Sequence, residues 1–167
     1  MRQQGFPMTD QQNTAATRFL DSTGISYKTC QYDYAPQKGH IGEQAASAIG
    51  AKPSAVFKTL AVKIDRKQPA FAVIPVDKRV NFKALAIALG GRNAKMMQPD
   101  EAHDRTGFVS GGTTPFGSRQ TLPTVIDRSA QKHKTIWINA GARGFLACLT
   151  PQDVQAVTQG LFANIAE

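Results

Sequence analysis

The chain holds only two cysteines, Cys30 and Cys148, among 167 residues, too few for a disulfide framework or a four-ligand zinc site. Its three histidines, His40, His103 and His133, stand far apart with no HxH or HxxxH spacing, so no metal is expected. Spacing leaves a Cys–His nucleophilic pair open, because such partners meet only in the fold, although packed thiols are far commoner. No apolar stretch approaches the ~20 residues of a membrane-spanning helix, since Lys, Arg, Asp or Gly interrupts every one. The opening Met1–Pro7 lacks the apolar centre of a signal peptide, and the expected compartment is the cytoplasm. Neither repeats nor a low-complexity linker divide the chain. We therefore expect a flexible tail over residues 1–13, with Met8 as an alternative start, and one domain over 14–167.

Acid is also scarce. Twelve Asp and Glu against twenty Lys and Arg leave a net charge of +8. Such a surplus attracts polyanions, of which nucleic acid is the commonest in the cytoplasm, or merely solubilises the surface. The basic residues are scattered or come in twos and threes, as in Lys78-Arg79 and Lys132-His133-Lys134. A folded face that touches a few phosphates fits this pattern better than a disordered basic arm. The hydrophobic fraction of 41% and mean hydropathy of −0.30 are those of an ordinary globular chain.

What is present reads as interspersed helices and strands. Ala15, Ala16, Phe19 and Leu20 recur at helical spacing over 14–22, and Gly24 stops that helix. Residues 25–34 are β-branched and aromatic, a strand ending in the turn-prone 35–39. A short helix over 42–49 follows. Residues 56–64 and 70–76 then form two strong strands joined by a polar turn, a hairpin. Asn81 caps a helix that Gly90-Gly91 ends, and Pro99–Asp104 reads as another short helix. After a glycine-rich loop over 106–117, strands are expected at 124–127, 135–139 and 145–149. Thr150-Pro151-Gln152-Asp153 opens the last helix with an N-cap, a first-turn proline and an acid at N3. There is no regular βαβ alternation, so the expected fold class is α+β, a mixed sheet flanked by helices.

Three features carry chemistry. Alternation along 56–64 puts Lys58 on the same face as Val56, Leu60, Val62 and Ile64, and Lys63 on the other. A lysine sharing an apolar face must reach a cleft mouth or an anion, or snorkel at the strand end, because a buried unpaired ammonium is costly. The Gly107–Gly117 loop leaves backbone N–H groups bare, able to cradle an anion or a developing oxyanion, though glycines also simply make turns. It is neither a P-loop nor GxGxxG before a helix. Asn139-Ala140-Gly141-Ala142-Arg143-Gly144 is a further loop between strands, where Arg143 can hold a phosphate or pair with a carboxylate.

Taken together, Val56-Phe57-Lys58-Thr59-Leu60, the Gly107-Phe108…Gly111-Gly112-Thr113-Thr114-Pro115-Phe116-Gly117 loop, Leu122–Asp127 and Asn139–Gly144 resemble the YbaK/ProX family of aminoacyl-tRNA editing domains. The resemblance runs from about Thr14 to the C-terminus. It is nearest the YbaK branch, the Cys-tRNA(Pro) and Cys-tRNA(Cys) deacylases. It implies a curved, barrel-like mixed sheet with the aminoacyl-adenosine end of tRNA in a central cleft, and no cofactor. Lys58 would match the lysine that contacts the terminal phosphate region, and Gly111 the glycine whose amide stabilises the reacting carbonyl. Tyr32 and Thr59 would line the pocket, with Gly112, Thr113, Gly141 and Arg143 around it. The cysteinyl thiol would attack its own ester, which agrees with the lack of a convincing protein nucleophile.

The chain departs from that branch at three pocket positions, having Ile41, Asn139 and Leu146 where Phe, Ser and Asp are frequent. Loss of a carboxylate beside the substrate's ammonium is expected to weaken recognition or shift the aminoacyl preference. The expected partners are the acceptor end of tRNA(Pro), or of tRNA(Cys), and prolyl-tRNA synthetase. The alternatives are a deacylase for another small aminoacyl group such as Ala-tRNA(Pro), or an idle nucleic-acid-binding module. The absence of a helix-turn-helix with a basic recognition helix counts against the last.

Overall fold

The hairpin around which the fold is organised joins β2 (Val56–Ile64) to β3 (Gln68–Pro75) in an antiparallel pair. Its turn holds Asp65 and Arg66 at φ 50° and 64°, left-handed values that match the twist of tight hairpin turns. The Asp65 carboxylate accepts the backbone N–H groups of Arg92 and Asn93 at 2.9 and 3.0 Å. The turn thereby anchors β4 (Ala94–Met96), which runs back along β2. This architecture comes from a computed structural model that describes residues 13–36 and 39–167. The expected tail, apart from Asn13, lies outside those residues.

The remaining strands are β1 (Lys28–Gln31), β5 (Thr124–Asp127), β6 (Ile136–Asn139), β7 (Phe145–Leu149) and β8 (Leu161–Ala163). The order is β1-β7-β6-β2-β3-β5-β8, with β4 beside β2. The β2–β6, β3–β5 and β5–β8 pairs are parallel and the others antiparallel. The sheet is mixed and curled, as expected, but stops short of a closed barrel. β1 is shorter than the 25–34 expected, because only Lys28–Gln31 find partners along β7. β4 and β8 have no counterpart in the sequence reading.

Among the described residues five α-helices cover the sheet: α1 (Ala15–Thr23), α2 (Ile41–Ile49), α3 (Phe82–Ala88), α4 (Pro99–Thr106) and α5 (Pro151–Thr158). Side-chain caps open three of them. Thr14 and Thr17 form a reciprocal capping box on α1, Asn81 accepts the Ala84 N–H, and Thr150 accepts the Asp153 N–H. The alternation in β2 sets the packing. Phe57 joins Leu20 of α1 and Val154 of α5 in one buried cluster, and Ala61 joins Phe71, Met97 and Phe108 in the next. On the opposite face Val56 packs with Ala45 and Ile49 of α2, and Val62 and Ile64 pack with Leu85 of α3.

A gap interrupts one edge of β2. β6 pairs only with Val56 and Phe57, and β4 only with Val62–Ile64. Between them, the Ala61 carbonyl is taken up by the Met97 N–H at 3.0 Å. The Val76 N–H donates to the Val56 carbonyl at 2.8 Å, which sets the phase of the antiparallel ladder. Odd-numbered residues of β2 therefore direct their N–H and C=O away from β3. Thr59 aims both backbone groups into the gap.

Candidate functional site

A cleft of about 200 Å³ opens at this gap. Lys58 and Thr59 form its β2 wall, on opposite faces of the strand but both reaching the opening. Tyr32, Ile41 and Leu146 supply apolar surface, and Gly111, Thr113 and Asn139 close the far side. Eight of the residues singled out from the sequence thus meet in one place. Gly112, Gly141 and Arg143 stand outside the lining. Gly112 is packed against the Ala142 backbone, and Gly141 approaches Thr14 and Ala16 at the start of α1.

Five further apolar contributors, Gly42, Ala45, Val56, Phe57 and Val76, were not singled out as site residues from the sequence. Val56 and Phe57 stand there only as neighbours of Lys58 in its motif, Val76 as the end of a strand, and Gly42 and Ala45 as part of the short helix over 42–49. At Gly42 a Cβ would lie 2.7 Å from the Val76 side chain. Its absence lets α2 sit close against the end of β3 and form the floor of the cleft.

Lys58 is half-buried, and burial pushes its pKa below the ordinary lysine value, partly offset by the carboxylates of Glu43 and Asp77. Among the described residues its ammonium has no hydrogen-bond or ion-pair partner. Thr59 is 8% exposed, and its Oγ1 is buried without a partner among the described residues. A buried hydroxyl left unsatisfied costs about 1–3 kcal/mol. Tyr32 is no base, since burial raises its phenol pKa further, with Tyr34 and Cys30 adding to the effect. The Cys30 thiol, fully buried behind the wall, is pushed up to about 11. Among the described residues the cleft is lined by no cysteine, histidine or carboxylate, and no cluster of three or more His, Cys, Asp or Glu is placed to hold a metal.

The Gly111 amide is oriented by its neighbours. Arg143 Nε donates to the Ser110 carbonyl at 2.8 Å, and the guanidinium lies 5.6 Å from the centre of the Tyr34 ring. In a trans peptide the N–H points opposite to the C=O, so holding the Ser110 carbonyl toward Arg143 turns the Gly111 N–H the other way. That N–H has no partner among the described residues. The next peptide is fixed as well. Asn139 Nδ2 donates to the Gly111 and Ala142 carbonyls at 3.1 and 3.0 Å, its Oδ1 accepts the Gly141 N–H at 2.6 Å, and the Gly112 N–H donates to Val109 at 2.8 Å. Gly112 therefore has no amide to offer a ligand. Gly111 sits at φ +86° with the Tyr34 hydroxyl against the position a Cβ would take, so only glycine fits there unstrained. A fixed, bare amide beside a cation, in an apolar cleft, can stabilise charge developing on a carbonyl oxygen.

The chain shares this organisation with known proteins. Residues 36–157 match the family of aminoacyl-tRNA editing domains. An Enterococcus faecalis protein, EbsC, named as a candidate Cys-tRNA(Pro)/Cys-tRNA(Cys) deacylase, is 32% identical over 93% of this chain and 94% of its own. The Escherichia coli multifunctional Ser/Thr-tRNA deacylase ProXp-y is 24% identical over 87% of each chain. Among solved structures, one described as a candidate trans-editing enzyme for prolyl-tRNA synthetase superposes with a TM-score of 0.80 at 23% identity, covering 94% of this chain and 99% of that one. The match over most of the chain, with the identity to EbsC across nearly its full length, makes this protein a member of the aminoacyl-tRNA editing domain family, which includes deacylases of charged tRNA.

Proposed function

We propose that the protein clears mischarged tRNA, with Cys-tRNA(Pro) as substrate, and that the substrate's own thiol performs the attack. One observation carries this reading: among the described residues the cleft supplies a cation and a bare amide but no histidine, cysteine or carboxylate to act as base or nucleophile. The hydroxyls of Thr59 and Thr113 have no histidine or carboxylate among the lining residues to activate them. A cysteinyl ester brings the missing group.

In this scheme the ester carbonyl lies against the Gly111 N–H, and Lys58 holds the terminal phosphate region. The aminoacyl side chain rests among Ile41, Val76 and Leu146. The thiolate sulfur attacks the ester carbon, an S–C bond forms, and the carbonyl electrons move onto an oxygen that accepts from the Gly111 N–H. Collapse breaks the C–O bond to the ribose, and the proton lost by the thiol ends on the ribose oxygen. The products are free tRNA and a cysteine thiolactone, with no water consumed until the thiolactone hydrolyses in solution. Orientation and oxyanion stabilisation are the protein's whole contribution. The apolar lining and modest volume suit a thiol or methyl side chain better than a charged one.

Deacylation of Cys-, Ala- and Ser-tRNA(Pro) by the purified protein, with trapping of the released product, tests the reading. Cys-tRNA should be cleaved fastest with thiolactone trapped, and Ser-tRNA slowest, because a hydroxyl is a far weaker nucleophile than a thiol at neutral pH. Equal rates on all three would sink self-cleavage and favour attack by water. Tight binding of uncharged RNA without release of any amino acid would favour the binding-module alternative.

A further inference from the structure

Another cavity, of about 350 Å³ against about 200 Å³ for the cleft, opens at the start of α1. Arg18 of α1 and Arg119, which follows the glycine-rich loop, both line it, and among the described residues no carboxylate does. Neither arginine joins an ion pair among the described residues. Each spends one nitrogen on a neutral oxygen instead. Arg18 Nη1 donates to Asn13 Oδ1 at 3.0 Å, and Arg119 Nη1 donates to the Asp104 carbonyl at 2.9 Å. A guanidinium carries five N–H donors, so Nε and Nη2 of both side chains remain for a ligand. The two charges are thus held in place without being neutralised.

The fold brings these arginines together through the loops that also build the cleft. A Cβ on Gly117 would run into the Ala15 carbonyl, so glycine there lets the loop seat directly on the first turn of α1. The Arg119 guanidinium lies over the bare backbone of Gly107, with Nη2, Cζ and Nε 3.5–3.7 Å from where a Cβ would stand. The same loop gives Gly111 and Thr113 to the cleft and Gly107 and Gly117 to the cavity, while the 139–144 loop gives Asn139 to one and Gly141 to the other. Four residues of chain span at most ~14 Å, which bounds the distance from Gly107 to Gly111.

We propose that this cavity grips a backbone phosphate of the tRNA acceptor end, a few nucleotides from the ester, between Arg18 and Arg119. The inference rests on the deacylase reading for the identity of the RNA, and it adds a phosphate site outside the cleft. Planar forks with free donors match the oxygens of a phosphate, and the two unbridging oxygens of one phosphodiester can serve both arginines. An RNA whose ester reaches Gly111 has its strand within a loop's width of them. The net charge of +8 draws the strand to the surface, and this pair gives part of that charge a fixed place to act.

The test compares two substrates of the full chain: Cys-tRNA(Pro), and the cysteinyl ester of adenosine, which contains no phosphate. Arg18→Ala and Arg119→Ala should each raise KM for Cys-tRNA(Pro) several-fold, and the double variant at least ~10-fold, with kcat nearly unchanged. For uncharged tRNA, the double variant should flatten the fall of log affinity with log salt by about 0.7–0.9, the contribution of one neutralised phosphate. Cleavage of the adenosine ester should not distinguish the variants from the parent. Arg119 also braces the end of α4 through Asp104, so Arg18→Glu, at an exposed position bonded to nearby Asn13, is the variant that does not threaten folding. It should raise KM for Cys-tRNA(Pro) more than Arg18→Ala does. An unchanged KM and salt slope in the double variant, or equal losses on both substrates, would overturn the proposal. Intact tRNA affinity with lost binding to prolyl-tRNA synthetase would overturn it too, by giving the arginines to an acidic protein. Uncharged tRNA bound with the expected change in slope by a protein that cleaves neither ester would leave this site standing and remove the deacylase reading instead.

Discussion

Lys58 and Lys63 occupy the same strand, carry the same charge and point to opposite faces, yet their environments differ in kind. The Lys63 ammonium is matched by the Glu101 carboxylate at 3.1 Å, itself shared with Arg105. Both partners of that network are held by short bonds on a partly exposed surface, where such pairs contribute little beyond positioning α4. The Lys58 ammonium is half-buried at the cleft, with its pKa lowered by burial, partly offset by Glu43 and Asp77, and no partner in bonding range among the described residues. A cation left unmatched beside a cleft destabilises the empty protein and is relieved when an anion or a developing negative charge arrives. The difference separates a lysine with a structural partner from one that has none among the described residues and that we propose meets the substrate.

The sharpest way to break this contrast is to truncate each lysine. Lys58→Ala should lower deacylation at least ~100-fold, through lost alignment and charge stabilisation. Its melting temperature should hold or rise slightly, because an unfavourably placed charge is removed. Lys58→Arg should restore little, since a planar fork places its donors differently from a compact ammonium. Lys63→Ala should cost no more than a few-fold, in KM, by loosening α4. Equal losses from the two alanine variants, or unfolding of Lys58→Ala, would return Lys58 to the role of a snorkelling surface residue.

A second, smaller effect concerns the opposite wall. Arg143 touches none of the cleft, and its position beside Ser110 makes it a positioning residue for the Gly111 N–H. Arg143→Ala should reduce kcat about 10-fold or more with KM nearly unchanged, because an amide free to rotate loses its value only in the transition state. Arg143→Lys should recover part of the loss, since an ammonium can reach a carbonyl but stacks less well on Tyr34. A rise in KM at constant kcat would place Arg143 on the tRNA instead.

The contrast between the lysines was half visible in the sequence. Period-two alternation is enough to show that Lys58 shares a face with Val56 and Leu60, because the pleat dictates it. The partner of Lys63 was not visible, since Glu101 lies on a helix brought near only by the path of β4. β4 itself is a three-residue strand in a polar stretch with no apolar alternation, and it forms because the Asp65 carboxylate grips the two residues' N–H groups just before it. The gap in the sheet follows from where β6 and β4 stop, a property of pairing lengths that no local pattern encodes. Among candidate site residues, those on strands or in the strand-facing loop converge as alternation and loop chemistry suggest. From the sequence Arg143 can hold a phosphate or pair with a carboxylate, because its own loop is all that the sequence reveals. The Ser110 carbonyl that it binds lies on the other glycine loop, and only the fold joins the two.

The smallest expected effect sharpens the comparison by titration. Burial lowers the pKa of Lys58, and Glu43 is the larger of the two carboxylate influences that raise it back. Removing that charge by Glu43→Gln should lower the Lys58 pKa further, so the protonated, active form is lost at a lower pH than in the parent protein. Below that range both proteins carry the ammonium and should cleave at the same rate. As pH rises, the variant should fall away first. Ionisation of the substrate thiol and spontaneous ester hydrolysis change the absolute rates across the same range, but they are common to both proteins. The ratio of the two kcat/KM values therefore isolates the lysine, and it should decline from unity on the alkaline side. Glu43 also meets the exposed His40 at 3.3 Å, so His40→Ala is the necessary control and should leave the ratio flat. A ratio that departs from unity at acid pH, or one reproduced by His40→Ala, would mean that Glu43 acts on something other than Lys58.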